Sequence, residues 1–67
     1  MLKNLLKIIK ESGREVIIRV YSKDGNILLA TSYNTLTDGI IEKLVDYDYL
    51  DYRVLPSLKR ILILKEK

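Results

Sequence analysis

Sixty-seven residues allow one domain, and a domain of that size buries only about 60% of the surface of its unfolded chain, so its stability margin is thin. Hydrophobic residues make up 48% and charged residues 31%, with a formal net charge of +3, which is a globular balance rather than a disordered one. The chain has no Cys, His, Trp, Phe or Gln, which excludes disulfides, thiolate and imidazole metal sites, and Cys- or His-based catalysis.

Residues 2–12 read as a helix. Leu2, Leu5, Leu6 and Ile9 fall on one stripe at i, i+3, i+4 and i+7, and Lys3, Lys7 and Lys10 occupy the other face. Gly13 stands where a left-handed C-cap favours a residue without a Cβ. Residues 14–21 alternate and are β-branched, so they read as a strand with Val16, Ile18 and Val20 on one face. Glu15, Ile17, Arg19 and Tyr21 take the other.

Asp24-Gly25 marks a hairpin turn into a second strand at 27–33. A two-residue loop pairs Val20 with Leu29, whereas a longer loop with a Gly bulge pairs Val20 with Leu28. Both faces are partly apolar, so the pattern leaves the register open. Asn34 and Thr35 are candidate N-caps, with Thr35 and Asp38 spaced as a capping box. Leu36, Ile40, Ile41, Leu44 and Val45 then predict a helix over 36–47. Its end runs into Asp46-Tyr47-Asp48-Tyr49-Leu50-Asp51-Tyr52, a stretch expected to be helix end and loop. Arg53-Val54-Leu55 reads as a third strand, Pro56-Ser57 breaks it, and 59–65 reads as a fourth, buried on both faces at its centre.

The order α-β-β-α-β-β predicts an α+β fold in a single domain over 1–67. Its expected form is one mostly antiparallel four-stranded sheet with two helices on one face. The second face would carry Ile and Tyr with little to cover it. An open apolar face or a bare edge strand favours self-association, so a homo-oligomer through either is expected.

Charge is segregated along the chain. Residues 1–37 carry +3, residues 38–52 carry −4 and residues 53–67 carry +4. Lys3, Lys7, Lys10 and Arg14 lie near one helical stripe. Together with Lys59 and Arg60 they could follow a phosphate backbone, or simply form a solvated face. No RNP, zinc-finger, KH or helix-turn-helix signature accompanies them. In the acidic stretch, Asp46, Asp48 and Asp51 alternate with Tyr47, Tyr49 and Tyr52. Tyr gives large, rigid contact area with a polar tip, and carboxylates beside it suit a basic groove on a partner protein. The plainer alternative is that the rings cap the core and the carboxylates are solvated.

Catalysis finds little support. The Asp-x-Asp run lacks the third ligand and the Gly of a calcium loop, having Leu50 and Asp51 in those places. Ser12, Ser22, Ser32 and Ser57 have no His to activate them. Gly13, Gly25 and Gly39 are too far apart to cradle phosphate. The expectation is therefore a non-enzymatic chain without cofactor or metal. The longest aliphatic run, Ile61–Leu64, is far short of the roughly 20 residues that span a bilayer. The N-terminus lacks the apolar stretch of a signal peptide. A cytoplasmic location is expected, with no membrane partner. High charge, abundant Ile and Lys, and the missing Gln and Cys resemble a thermophilic composition.

Residues 1 to about 45 carry a recognisable pattern. A short amphipathic helix leads into Ile17-Ile18-Arg19-Val20, then Asp24-Gly25-Asn26, then a strand and a helix containing Ile40-Ile41-Glu42-Lys43-Leu44. This resembles the small prophage-encoded Cas9 inhibitors of the anti-CRISPR type. The resemblance implies a non-enzymatic protein of a virus or mobile element that occupies a DNA-binding groove through acidic residues. Those inhibitors are strongly acidic and have an additional strand, whereas this chain is net positive. Only Asp46–Tyr52 could take the acidic role, and it does not align on a family motif, so no binding residue is carried over. Two expectations follow: a module that binds a protein partner through its Tyr-Asp strip, or a small basic nucleic-acid-binding protein.

Overall fold

The computed structural model describes residues 1–67. Helix α1 (Leu2–Ser12) forms as its apolar spacing dictates, with Leu6 and Ile9 fully buried and Leu2 and Leu5 packed beside them. It stops at Gly13, whose φ of 69° is left-handed and whose N–H bonds the Lys10 carbonyl. Strand β1 (Val16–Tyr21) follows, shorter by two residues than the alternation predicts. Its Val16, Ile18 and Val20 are completely buried against the helices.

The turn into β2 (Ile27–Tyr33) shows why the register is ambiguous in the sequence. Its loop is the longer form. Gly25 N–H donates to the Ser22 carbonyl at 3.0 Å, Ser22 N–H donates to the Asn26 carbonyl at 2.7 Å, and Gly25 sits at φ 85°. That loop alone would pair Val20 with Leu28. A bulge intervenes: Tyr21 pairs with Ile27 but Val20 pairs with Leu29. Leu28 is the extra residue and is left half exposed, while Leu29 packs on the core. Both alternatives are thus partly realised, and placing Leu29 over the core decides between them.

Helix α2 (Asp38–Leu44) is shorter than predicted at both ends. The N-cap is Thr37, neither Asn34 nor Thr35. Its Oγ1 accepts from the Ile40 N–H at 3.2 Å. Leu36, expected inside the helix, is instead buried in the connection before it and anchors that connection to the core. Beyond Leu44 the chain turns, and the expected helix end and loop is a strand, β3 (Asp48–Val54). Alternating Tyr and Asp residues fit a pleated surface better than a helix, and here a neighbouring strand is present to pair with them. The third strand therefore covers seven residues and ends at Val54, with Leu55 outside it. Strand β4 (Arg60–Lys65) has Leu62 and Leu64 fully buried, while Ile61 and Ile63 on its other face are only half-buried. Full burial on both faces is therefore not found.

The sheet order is β2-β1-β4-β3. Two of the three pairings are antiparallel hairpins, β1 with β2 and β3 with β4. The central pairing, β1 with β4, is parallel, from Val16 beside Arg60 to Tyr21 beside Lys65. The sheet is thus mixed, because α2 carries the chain across from one hairpin to the other. Ten residues form the core, drawn from α1, β1, the β2–α2 connection, α2 and β4, all on one side of the sheet.

The two hairpin turns share one hydrogen-bond pattern. Leu58 N–H donates to the Leu55 carbonyl and Leu55 N–H to the Lys59 carbonyl, both at 2.8 Å. Leu58 thus takes the place that Gly25 takes in the first turn, at φ 67° and about half exposed. A Leu in that conformation costs roughly 1–2 kcal/mol against glycine's freedom. Leu58→Gly is expected to raise stability by about 0.5–1 kcal/mol in equilibrium urea unfolding. Gly25→Ala, with open space around the added Cβ, should lower it by about 1 kcal/mol through backbone conformation alone. A Leu58→Gly variant less stable than the parent would show that the Leu58 side chain makes a contact outweighing the strain.

Candidate protein interface

Both helices cover one face of the sheet, and no element covers the other. Strand alternation and register place the side chains of this open face in rows across the strands. One row runs Ala30, Arg19, Ile63, Asp51, and the next runs Tyr21, Lys65, Asp48. A third brings Ile17, Ile61 and Arg53 together. The centre is apolar, formed by Ile17, Ile61 and Ile63, none of them fully buried. Sequence alternation alone foresees this uncovered face.

Arg19 lies within that apolar centre. Its Nε is buried and meets no acceptor. A buried, unsatisfied polar nitrogen carries a desolvation cost, and the more so on a charged group. Asp51 shares its row but is one strand beyond Ile63, and its oxygens are engaged elsewhere. Asp51 Oδ2 accepts from Arg53 Nε and Oδ1 from the Tyr52 N–H, both at 2.8 Å. The sequence shows Arg19 only as one member of an alternating strand, so its orphaned nitrogen is not visible there.

The Tyr-Asp strip divides between the two faces. A bulge at Leu50 pairs Tyr49 with Leu64 and Asp51 with Ile63. Without it Tyr49 and Tyr52, an odd number of residues apart, would point to opposite sides; with it both share the helix side. Tyr47 and Tyr52 pack against the core. Tyr49 is half exposed and, with Met1, Leu2 and Leu5, lines an open apolar groove of about 230 Å³. Asp48 and Asp51 lie on the open face, and Asp46 is exposed in the turn before the strand. The six residues of the strip are therefore not one continuous patch. The residues that stand out along β3 are ones sequence reasoning passed over: Leu50 and Val54 are 48% and 52% exposed. β3 is moreover an edge strand, with one side of its backbone unpaired.

The basic residues are interleaved with acids. Lys10 Nζ lies 2.8 Å from Asp38 Oδ1, joining α1 to α2. Lys3 and Lys7 line an open depression of about 290 Å³ with Asp38, Ile41 and Glu42. Lys59 Nζ is 3.5 Å from Glu15 Oε1, and Arg60 donates from Nη1 to the Leu58 carbonyl. Arg14 is exposed after α1. The α1 lysines face α2, whereas Lys59 and Arg60 lie at the start of β4 beside Glu15, so each group has its own acidic neighbours.

No group of three or more Asp and Glu side chains is arranged to hold a metal ion. No helix is long and apolar enough to cross a membrane. No protein-family model matches the chain, and no curated protein or solved structure matches it. The fold and this face define a small two-layer α+β domain with one layer uncovered.

The Lys10 hydrogen bond holds the Asp38 carboxyl below its ordinary range, reinforced by the Lys10 charge and, more weakly, by Lys7. A depressed folded pKa means that this pair's contribution is complete above the ordinary value, about 3.9. It is lost as pH falls through the depressed value. Side-chain NMR titration should place the Asp38 midpoint below that of an ordinary Asp, and Lys10→Met should raise it. An unmoved midpoint in Lys10→Met would mean that the α1–α2 ion pair is not made in solution.

Proposed function

We propose that this chain is a non-enzymatic interaction module that binds a protein partner through the outer edge of β3. The observation that carries the reading is the fate of the Tyr-Asp strip: from Asp48 onward it lies in an edge strand whose outer backbone is free, with Tyr49, Leu50 and Val54 each about half exposed beside it. Free edges and exposed apolar side chains are what strand-pairing partners use. Asp48 and Asp51 in β3 and Asp46 in the turn before it add negative charge there, in a chain that is otherwise basic. A partner with a basic surface fits that charge.

A basic groove that ordinarily holds nucleic acid is the kind of partner this chemistry favours, with the carboxylates standing where phosphates would. The likeness of residues 1–45 to small inhibitors of viruses and mobile elements points the same way. The alternative nucleic-acid reading gains less, since Lys10 and Lys59 already have acidic partners.

The test is quantitative capture by the wild-type chain and by the Asp46→Asn, Asp48→Asn, Asp51→Asn triple variant, followed by titration of each recovered protein in purified form. The proposal expects a 1:1 complex weakened at least about ten-fold in the triple variant, with its circular dichroism unchanged. It also expects that complex to lose affinity for short duplex DNA. Equal binding by both chains, or a gel shift of duplex DNA by this chain alone with a log–log salt slope near −4 or steeper, would overturn it.

A further inference from the structure

We infer that the open face of the sheet is the contact surface of a weak two-fold dimer, with a second copy of this chain as its occupant. The face is laid out about β4. Strands β1 and β3 lie on either side of β4, each one strand spacing away, about 4.8 Å. Hydrogen-bond donors stand on the β1 side, Arg19 and Tyr21. Carboxylates stand on the β3 side, Asp51 and Asp48, in the same two rows. Between them in β4 lie Ile63 in the first row and Lys65 in the second, with Ile61 in the row before, between Ile17 and Arg53.

A two-fold axis running along β4 exchanges the β1 side of one copy with the β3 side of the other. It sets Ile63 against Ile63, Arg19 opposite Asp51 of the second copy, and Tyr21 opposite Asp48 of the second copy. The Ile63 contact lies on the axis, and the Arg19–Asp51 and Tyr21–Asp48 pairings each occur twice, as an isologous interface requires. Aligned sheets pack about 10 Å apart, a gap that an extended Arg and an Asp together can bridge. The Arg19 guanidinium, whose Nε meets no acceptor within its own chain, then gains a carboxylate neighbour, and Ile61 and Ile63 are removed from water. Lys65 meets Lys65 and Arg53 meets Ile17 under the same axis, but Lys65 is exposed at the end of β4. The repeated Arg19–Asp51 and Tyr21–Asp48 pairings about the Ile61 and Ile63 centre are what favour a second copy over a different protein.

The contact is small. Three strands of about six residues cover roughly 300 Å² of flat sheet per copy. A standard interface has about 800 Å² per partner. The dimer is therefore expected to exchange, with a dissociation constant on the order of 0.1–1 mM.

Sedimentation equilibrium from about 20 µM to 2 mM tests this, and the concentrations span the expected constant. The weight-average mass of the wild-type chain should rise from 7.8 kDa towards twice that value. Arg19→Asp alone and Asp51→Arg alone place like charges in register and should stay monomeric. An equimolar mixture of the two restores opposite charges at both positions and should associate again. Asp51 also holds Arg53 and the Tyr52 N–H, so Asp51→Arg is checked for folding by circular dichroism. Dilution of the wild-type chain, followed by amide NMR shifts, supplies a readout without any variant. Shifts should concentrate at Ile17, Arg19, Tyr21, Ile61 and Ile63 and spare α1 and α2. A wild-type chain that stays at 7.8 kDa to 2 mM, a folded mixture no heavier than its components, or dilution shifts confined to the helices or the β2 edge would each overturn the inference. Arg19→Asp should still bind the β3 partner, so failure of one proposal is distinguishable from failure of the other.

Discussion

The parallel pairing of β1 with β4 is the constraint on which the rest of this structure depends. It joins two apolar strands from opposite ends of the chain at the centre of the sheet. Val16, Ile18 and Val20 then lie beside Leu62 and Leu64, and these five supply half of the ten-residue core. Neither hairpin alone would bury enough apolar surface to stand in water. Joined through this pairing, the two hairpins present one continuous surface on which both helices rest. The same pairing leaves Ile17, Arg19, Ile61 and Ile63 together on the opposite face, so core and open face follow from a single register.

Much of the fold is legible in the residue pattern. The strong local signals are realised: the Leu and Ile stripe of α1, Gly13 at its end, the β-branched alternation of β1 and the Asp24-Gly25 turn. The boundary between α2 and β3 is not legible, for a definite reason. Leu36, Ile40, Ile41 and Leu44 have helical spacing, but Leu36 is buried from a connection rather than from the helix, so periodicity overruns the element. The Asp46–Tyr52 strip reads as irregular because the bulge at Leu50 interrupts its alternation. A bulge is dictated by what the partner strand offers, and that partner lies in β4, outside any local window.

The candidate site was legible in composition but not in geometry. Acidic and aromatic residues do concentrate at 46–52, and the structure places Asp48, Tyr49, Asp51 and Tyr52 on an edge strand with Asp46 and Tyr47 in the turn before it. What local reading could not supply is their separation, with Tyr47 and Tyr52 on the core and Asp48 and Asp51 on the open face. The charge blocks along the chain likewise suggest separate basic and acidic surfaces. Folding instead brings Lys10 to Asp38 and Lys59 to Glu15. Segregation along a sequence is not segregation in space, because the crossover that builds a mixed sheet also brings distant segments together.

The central parallel pairing also sets the order in which the molecule can be made. A ribosome delivers β1, β2 and both helices before it delivers the strand that holds them, and until β4 is synthesised the middle of the sheet has no neighbour on one side. Contacts so distant along the chain close slowly. A nascent chain arrested before residue 60 would lack Leu62 and Leu64 beside Val16, Ile18 and Val20, leaving that side of the core open to chaperones and proteases alike.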